Sequence, residues 1–224
     1  MSEWWTYRPS DLLMFAPRTY WRLFELHNEA LWPLQVLTAL LALFIAGAIA
    51  RGHPGAVRVA IALLAACWAL VAWAFLWQRY APINSAAGTF ALCFALQAGM
   101  LVVLALRGGL CPSNDAIRRN TGLALLAWAV LAHPWLAVLS HRPWTEAEVF
   151  GLAPDPTAIG TLGVLLCISS RQRSTRVVLF AAWSIACLWC AVSAATLWTM
   201  GSAQGWVPAV AAACALAMLA RRRA

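Results

Sequence analysis

The sequence contains no lysine; its sixteen basic residues are all arginine. Charge of either sign is scarce, 11% of 224 residues against 63% hydrophobic, and the mean hydropathy is +0.73. An average soluble domain carries about 25% charged residues, so a soluble globular fold is excluded. There is no GxSxG elbow, Walker-type glycine loop, HExxH helix or pair of catalytic carboxylates. The usual signatures of serine hydrolases, NTPases and zinc proteases are therefore missing. No cofactor is expected, and an enzyme is the least supported class. The stretch before Leu31 lacks a short hydrophobic region with a cleavage site and does not read as a signal peptide. The seven cysteines fall inside apolar runs, except Cys111 in a loop, which is not a secreted disulfide framework. The net charge of +8 is split into short clusters between apolar segments. It offers no continuous basic face for nucleic acid.

What is present is a series of apolar runs near 33–50, 58–77, 85–106, 121–140, 157–170, 177–198 and 205–220. Six approach or exceed the ~18–20 residues that cross a bilayer. They are continuous Ala/Leu/Val stretches, unlike the alternating ten-residue strands of a barrel. The fold class read from them is all-α, a polytopic transmembrane helix bundle of about seven spans. The fifth run, TAIGTLGVLLCISS, would make about 21 Å of helix. It reads as either a short span or a re-entrant half-helix.

Arginine asymmetry bears on orientation. With seven spans and the N-terminus outside, eleven arginines lie inside (51, 58, 107, 118, 119, 171, 173, 176 and 221–223) and five outside (8, 18, 22, 79 and 142). Six spans with the N-terminus inside give the same split. Seven is favoured, because otherwise two short Arg-rich loops, 51–58 and 107–119, would both lie outside. Either way the C-terminus is expected in the cytoplasm. The N-terminal stretch, the 78–84 turn and the 141–156 loop share one membrane face in both arrangements.

Residues 1–32 read as an interfacial amphipathic segment preceding a single bundle, 33–224. SDLLMF and PRTYWRLFELHNEALW form two amphipathic pieces, with Pro17 as a first-turn proline. Trp4, Trp5, Tyr7, Tyr20, Trp21 and Trp32 suit the headgroup region. The helix is expected to run into the first span with a kink at Pro33.

Candidate chemistry is confined to a few polar groups in apolar surroundings. Asn28, Trp32 and Gln35 lie at i, i+4 and i+7, one helical stripe; Gln35 reads as interhelical glue or as a ligand contact. Asn84 and Ser85 follow Pro82 as an N-cap signal, with substrate contact as the sharper alternative. Gln97 sits about a dozen residues into its span and is either structural or pathway-lining. His133, before Pro134, is an imidazole at membrane depth, hence a functional candidate or a neutral partner of a backbone carbonyl. Asp155, between Pro154 and Pro156 and followed by Thr157, reads as a helix N-cap with a first-turn proline, or as a ligand-holding carboxylate. His27, His133, His141 and Asp155, with Glu146 and Glu148 nearby, are the available metal-ligating types, without the tight spacing of a zinc or di-iron site. Cys187 and Cys190, with Ser184, Ser193 and Ala194, read as small residues for close helix packing rather than a redox pair.

Three stretches together, HNEALWPLQ (27–35), APINSAAGTF…LQA (81–98) and FGLAPDPTAIGTLG (150–163), resemble a family of bacterial multi-pass membrane proteins of unassigned function. That family's pattern is YN…WP.Q, then PIN.AA…F…QA, then FG..PCPTTIFT.G. The resemblance implies an integral protein of the bacterial inner membrane and imports no activity. His27 stands where the family has Tyr, Ala158 where it has Thr, and Asp155 where it has the Cys between the prolines. An aspartate there favours harder cations or proton chemistry over a soft metal.

The function expected is a small transporter, permease-like or membrane binding protein for a cation, a proton or a small solute. The alternative is a structural or assembly subunit of a larger membrane complex. The partners are the lipid bilayer and, for the second reading, other membrane subunits or further copies of the chain; nucleic acid is not among them.

Overall fold

The computed structural model describes residues 13–107 and 109–221. Trp4, Trp5, Tyr7 and the two final arginines of the expected basic terminus lie outside them. Proline and glycine punctuate the apolar runs where the helices begin and end. Pro17 opens α1 (Pro17–Ala30), and Pro54 opens α3 (Pro54–Leu70); both rings preset φ where no N–H is needed. Gly52, at φ 67°, closes α2 (Leu34–Arg51) in the left-handed region. A turn over residues 31–33 separates α1 from α2, so the chain breaks there instead of running on through a kink. The α3 helix continues as a π-helix, Val71–Tyr80, and α4 (Ala87–Arg107) returns beside it.

The remaining elements are β1 (Leu110–Pro112), α5 (Ala116–Ala127), α6 (Leu136–Leu139), α7 (Pro154–Cys167), β2 (Ile168–Ser170), α8 (Arg173–Thr199) and α9 (Trp206–Ala220). Between α5 and α6 the helix widens to a π turn at Trp128–Ala132 and tightens to a 3₁₀ turn at His133–Trp135. Pro134 cannot donate the backbone bond that an α-helix requires there, and this accounts for the change of winding. Six helical stretches are long and apolar enough to cross a membrane: 34–51, 54–80, 87–107, 116–139, 173–199 and 203–220.

The remaining apolar run forms α7, too short to be counted among those six, and all fourteen of its residues are buried. It runs from one end of the bundle to the other. Its C-terminus leads directly into β2, which pairs antiparallel with β1 (Leu110 opposite Ser170), the strand after α4. A re-entrant hairpin would return the chain to the end where it started, so α7 traverses. It packs mainly against α5, α8 and α9, with α2 and α3 at its edges.

Fourteen residues suffice because the preceding chain dips inward: 150–153 are buried as well. Gly151 (φ +81°) makes that dip possible, and its Cβ would also lie 3.1 Å from Cys67 Sγ. Thr157 then locks the turn, accepting from Gly151 N (2.9 Å) and donating to Ala153 O (2.7 Å).

The α5–α7 crossing depends on missing side chains. A Cβ on Gly122 would sit 2.5 Å from Gly163 O, and one on Gly163 would sit 2.5 Å from Gly122 O and 2.8 Å from Leu126 N. Small residues let two helices approach this closely in lipid. Gly122→Ala and Gly163→Ala are each expected to cost about 1–3 kcal/mol of stability through overpacking. Gly99→Ala, with nothing within 4 Å, should be neutral or gain roughly 0.5–1 kcal/mol. Denaturant unfolding in mixed micelles checks the contrast.

Candidate functional site

Asp155 is the only charged residue of α7 and is 1% exposed. It is not the N-cap. Ala153 holds that position, with extended backbone and no side-chain cap bond, and Pro154 and Pro156 fall inside the first turn. Because the helix starts two residues earlier than the sequence signal implies, Asp155 sits within the first turn and its carboxylate reaches across to α8. Trp189 Nε1 donates to Oδ1 (2.8 Å), and Ser193 Oγ donates to Oδ2. Residues 189 and 193 are one turn apart on a single helical face. The carboxylate also lies at the positive end of the α7 dipole.

A second carboxylate and an imidazole are buried nearby. Glu148 and His133 are 3% and 2% exposed, with Oε2 and Nε2 3.8 Å apart. Both lie near Asp155. Neither His133 nitrogen has a hydrogen-bond partner among the described residues, nor does Oε1 of Glu148. At 3.8 Å the two side chains are neighbours without a hydrogen bond between them. Arg142 lies beside them, its guanidinium 3.5 Å above the Trp21 ring and bonded to Gln204 Oε1 (3.1 Å). Its charge acts on Glu148 and Glu146.

The Asn28/Trp32/Gln35 stripe forms one wall of a cavity of about 550 Å³. Asn28 Nδ2 clips the wall to the 144–147 loop, donating to Thr145 O (2.7 Å) and Ala147 O (2.9 Å). Gln35 Nε2 donates to Asn28 O (2.7 Å), while its buried Oε1 has no partner among the described residues. Pro134 and Val149 line the opposite side; their chain neighbours are His133 and Glu148. The groove and the buried cluster are thus adjoining parts of one region.

The other sequence candidates have local duties. Asn84 Oδ1 accepts from Ala86 N (2.9 Å) in a turn that opens α4. Gln97, fully buried, ties α4 to α8 through Ala182 O (3.1 Å). His27 Nδ1 accepts from Arg79 Nε (3.0 Å), which makes it the neutral tautomer with its proton on Nε2. His141 is exposed. The four possible metal ligands therefore do not assemble: among the described residues no group of three or more His, Cys, Asp or Glu is placed to hold a metal ion. Ser193, read as packing, and Trp189, which the sequence reading did not single out, belong to the site. The signal for them is an indole N–H and a hydroxyl on one face of an apolar helix, both of which need an acceptor in lipid.

Comparison with protein families matches residues 18–224 to DUF6064, a family of unknown function. The chain belongs to DUF6064. No curated protein and no solved structure matches it. DUF6064 membership and the six membrane-length helices together describe an integral membrane protein whose function the family does not assign.

His27 in this DUF6064 chain lies in α1, outside the membrane-length helices. Burial, and then the Arg79 charge, lower its pKa from 6.5 to about 4. Between those values the unfolded chain binds the proton and the folded one does not, so stability falls as pH drops from about 6.5 towards 4. The loss should reach roughly 3 kcal/mol. His27→Gln should flatten this slope in unfolding measured at pH 7, 5.5 and 4.5.

Proposed function

We propose that the protein is a small proton-translocating membrane protein whose polar path runs through Glu148, His133 and Asp155. We place it in a bacterial inner membrane, with the Arg-rich end in the cytoplasm on the strength of the arginine asymmetry. The observation that carries the reading is two carboxylates and an imidazole, each at most 3% exposed, gathered in one membrane-embedded bundle. Removing a carboxylate from water costs several kcal/mol even after relaxation. A protein that needed only a packed core would place an apolar side chain there. Ionisable groups at membrane depth mark ion pathways and proton relays.

The residues divide the work by their geometry. Glu148 and His133 are the chain neighbours of Val149 and Pro134, which line the groove, and in this reading a proton arriving from the outer face meets the Glu148 carboxylate first. Neither His133 ring nitrogen is bonded among the described residues, so the ring can take a proton at one and release it from the other. Asp155 is the fixed acceptor beyond, oriented by Trp189 and Ser193. The 3.8 Å gap between Glu148 and His133 is closed by a small side-chain shift or a bridging water. A relay needs such mobility between its donor and acceptor groups.

Proteoliposomes with an internal pH-sensitive dye, driven by a potassium diffusion potential, give a direct reading. Proton flux above that of empty vesicles is expected, reduced about tenfold or more in Asp155→Asn and in Glu148→Gln. Both variants should elute from size exclusion like the parent. Parent-like flux in correctly folded variants, or no parental flux, would falsify the proposal.

A further inference from the structure

The opposite end of the bundle carries a charge imbalance that proton movement does not use. Nine described arginines lie there with one carboxylate, Asp115. That carboxylate is committed to capping α5, accepting from Ile117 N (2.9 Å) and Arg118 N (3.1 Å). Two of the arginines cap helix C-termini. Arg58 donates to Ala105 O (2.7 Å) and Leu106 O (3.3 Å), and Arg118 donates to Leu165 O (3.3 Å) and Ile168 O (3.4 Å).

Arg171, Arg173 and Arg176 are placed the other way round. They crowd the first turn of the 27-residue α8, where the helix dipole is positive, and that turn has no acidic residue. A topology signal requires only arginines at this end of the protein. It does not require them on the unfavourable end of a helix.

A cavity of about 140 Å³ opens at this point between α5, β2, α8 and α9. One end is cationic and hydroxylic, formed by Arg118, Arg176, Ser169 and Ser170. The other is apolar, with Phe180 and Trp183 of α8 and Leu219 of α9; Phe180 is 63% exposed and faces outward. Arg118 is 97% buried, given its 3% exposure, so its charge acts on the cavity with little solvent screening. We propose that this cavity binds the phosphodiester headgroup of an anionic phospholipid, with Arg176 and Arg118 on the phosphate and the acyl chains along the Phe180 face.

The fit is one of size and sign. The cavity has room for a single phosphate-sized group, and the apolar exit continues into the space a lipid tail occupies. Anionic headgroups attract basic clusters beside membrane helices. A zwitterionic headgroup would bring an ammonium to an end where Asp115 is the sole described carboxylate, and that carboxylate is already engaged.

The test is native mass spectrometry of the purified full chain with titrated phosphatidylglycerol or phosphatidylcholine, and with millimolar inorganic phosphate as competitor. Phosphatidylglycerol should be retained as a discrete one-to-one adduct in preference to phosphatidylcholine. Arg176→Gln, an exposed position that leaves the Arg118 cap intact, should weaken retention about fivefold. Arg51→Gln, at the same end but outside the cavity, should behave as the parent. Equal retention of phosphatidylcholine overturns the proposal, as does equal weakening by the two variants, which would mean a diffuse field. Displacement of the adduct by inorganic phosphate would reassign the cavity to the free anion.

Discussion

One buried helix sets the terms for the rest of the molecule. α7 has no residue open to lipid or water, so each polar group it carries must be satisfied from within the protein. Its two ends are matched in charge. Asp155 lies at the positive end, bonded to Trp189 and Ser193, and the Arg118 guanidinium donates to carbonyls at the negative end. Between them Thr161 passes its hydroxyl to Thr157 O (2.7 Å) and accepts from Trp68 Nε1 (2.7 Å), which ties α7 to α3. The surrounding helices are arranged to supply these partners.

The same burial explains features that would be faults elsewhere. Gly122 and Gly163 weaken their own helices intrinsically, yet they let α5 and α7 touch backbone to backbone. Gly160 does the same for the Phe150 ring, which would be 2.5 Å from a Cβ. The 150–153 dip draws Glu148 inward with it, so a loop carboxylate becomes a core carboxylate. The winding changes at Trp128–Trp135 bring the residue before Pro134, His133, to meet it.

Much of the bundle is legible in the sequence because apolar runs, proline starts and glycine stops are local signals. All seven expected runs correspond to helices, with edges moved by a few residues. The fate of the fifth was not legible: a fourteen-residue run looks the same whether it turns back or crosses, and the β1–β2 pairing that decides it is a contact between distant segments. Asp155 shows the same limit at one residue. The Pro-Asp-Pro pattern correctly announces a helix start, but a shift of the start by two positions turns a cap into a buried ligand of α8. Trp189 and Ser193 were hidden because, in an apolar helix, packing and hydrogen bonding use the same small and aromatic residues. Glu148 reads as a loop acid until the loop is seen to fold inward.

In the proposed reading the end that holds the buried acid–imidazole cluster is the chemically active one, and the arginine end is the one that receives an anionic headgroup. The claim on which this depends is that Asp155 exchanges a proton while enclosed by α8. Infrared difference spectroscopy of the protein in nanodiscs, titrated from alkaline to acidic pH, measures this directly through the carboxyl C=O stretch. The account predicts a reversible carboxylic-acid band that is missing in Asp155→Asn and displaced in Ser193→Ala. A spectrum identical in parent and Asp155→Asn at every pH would contradict it.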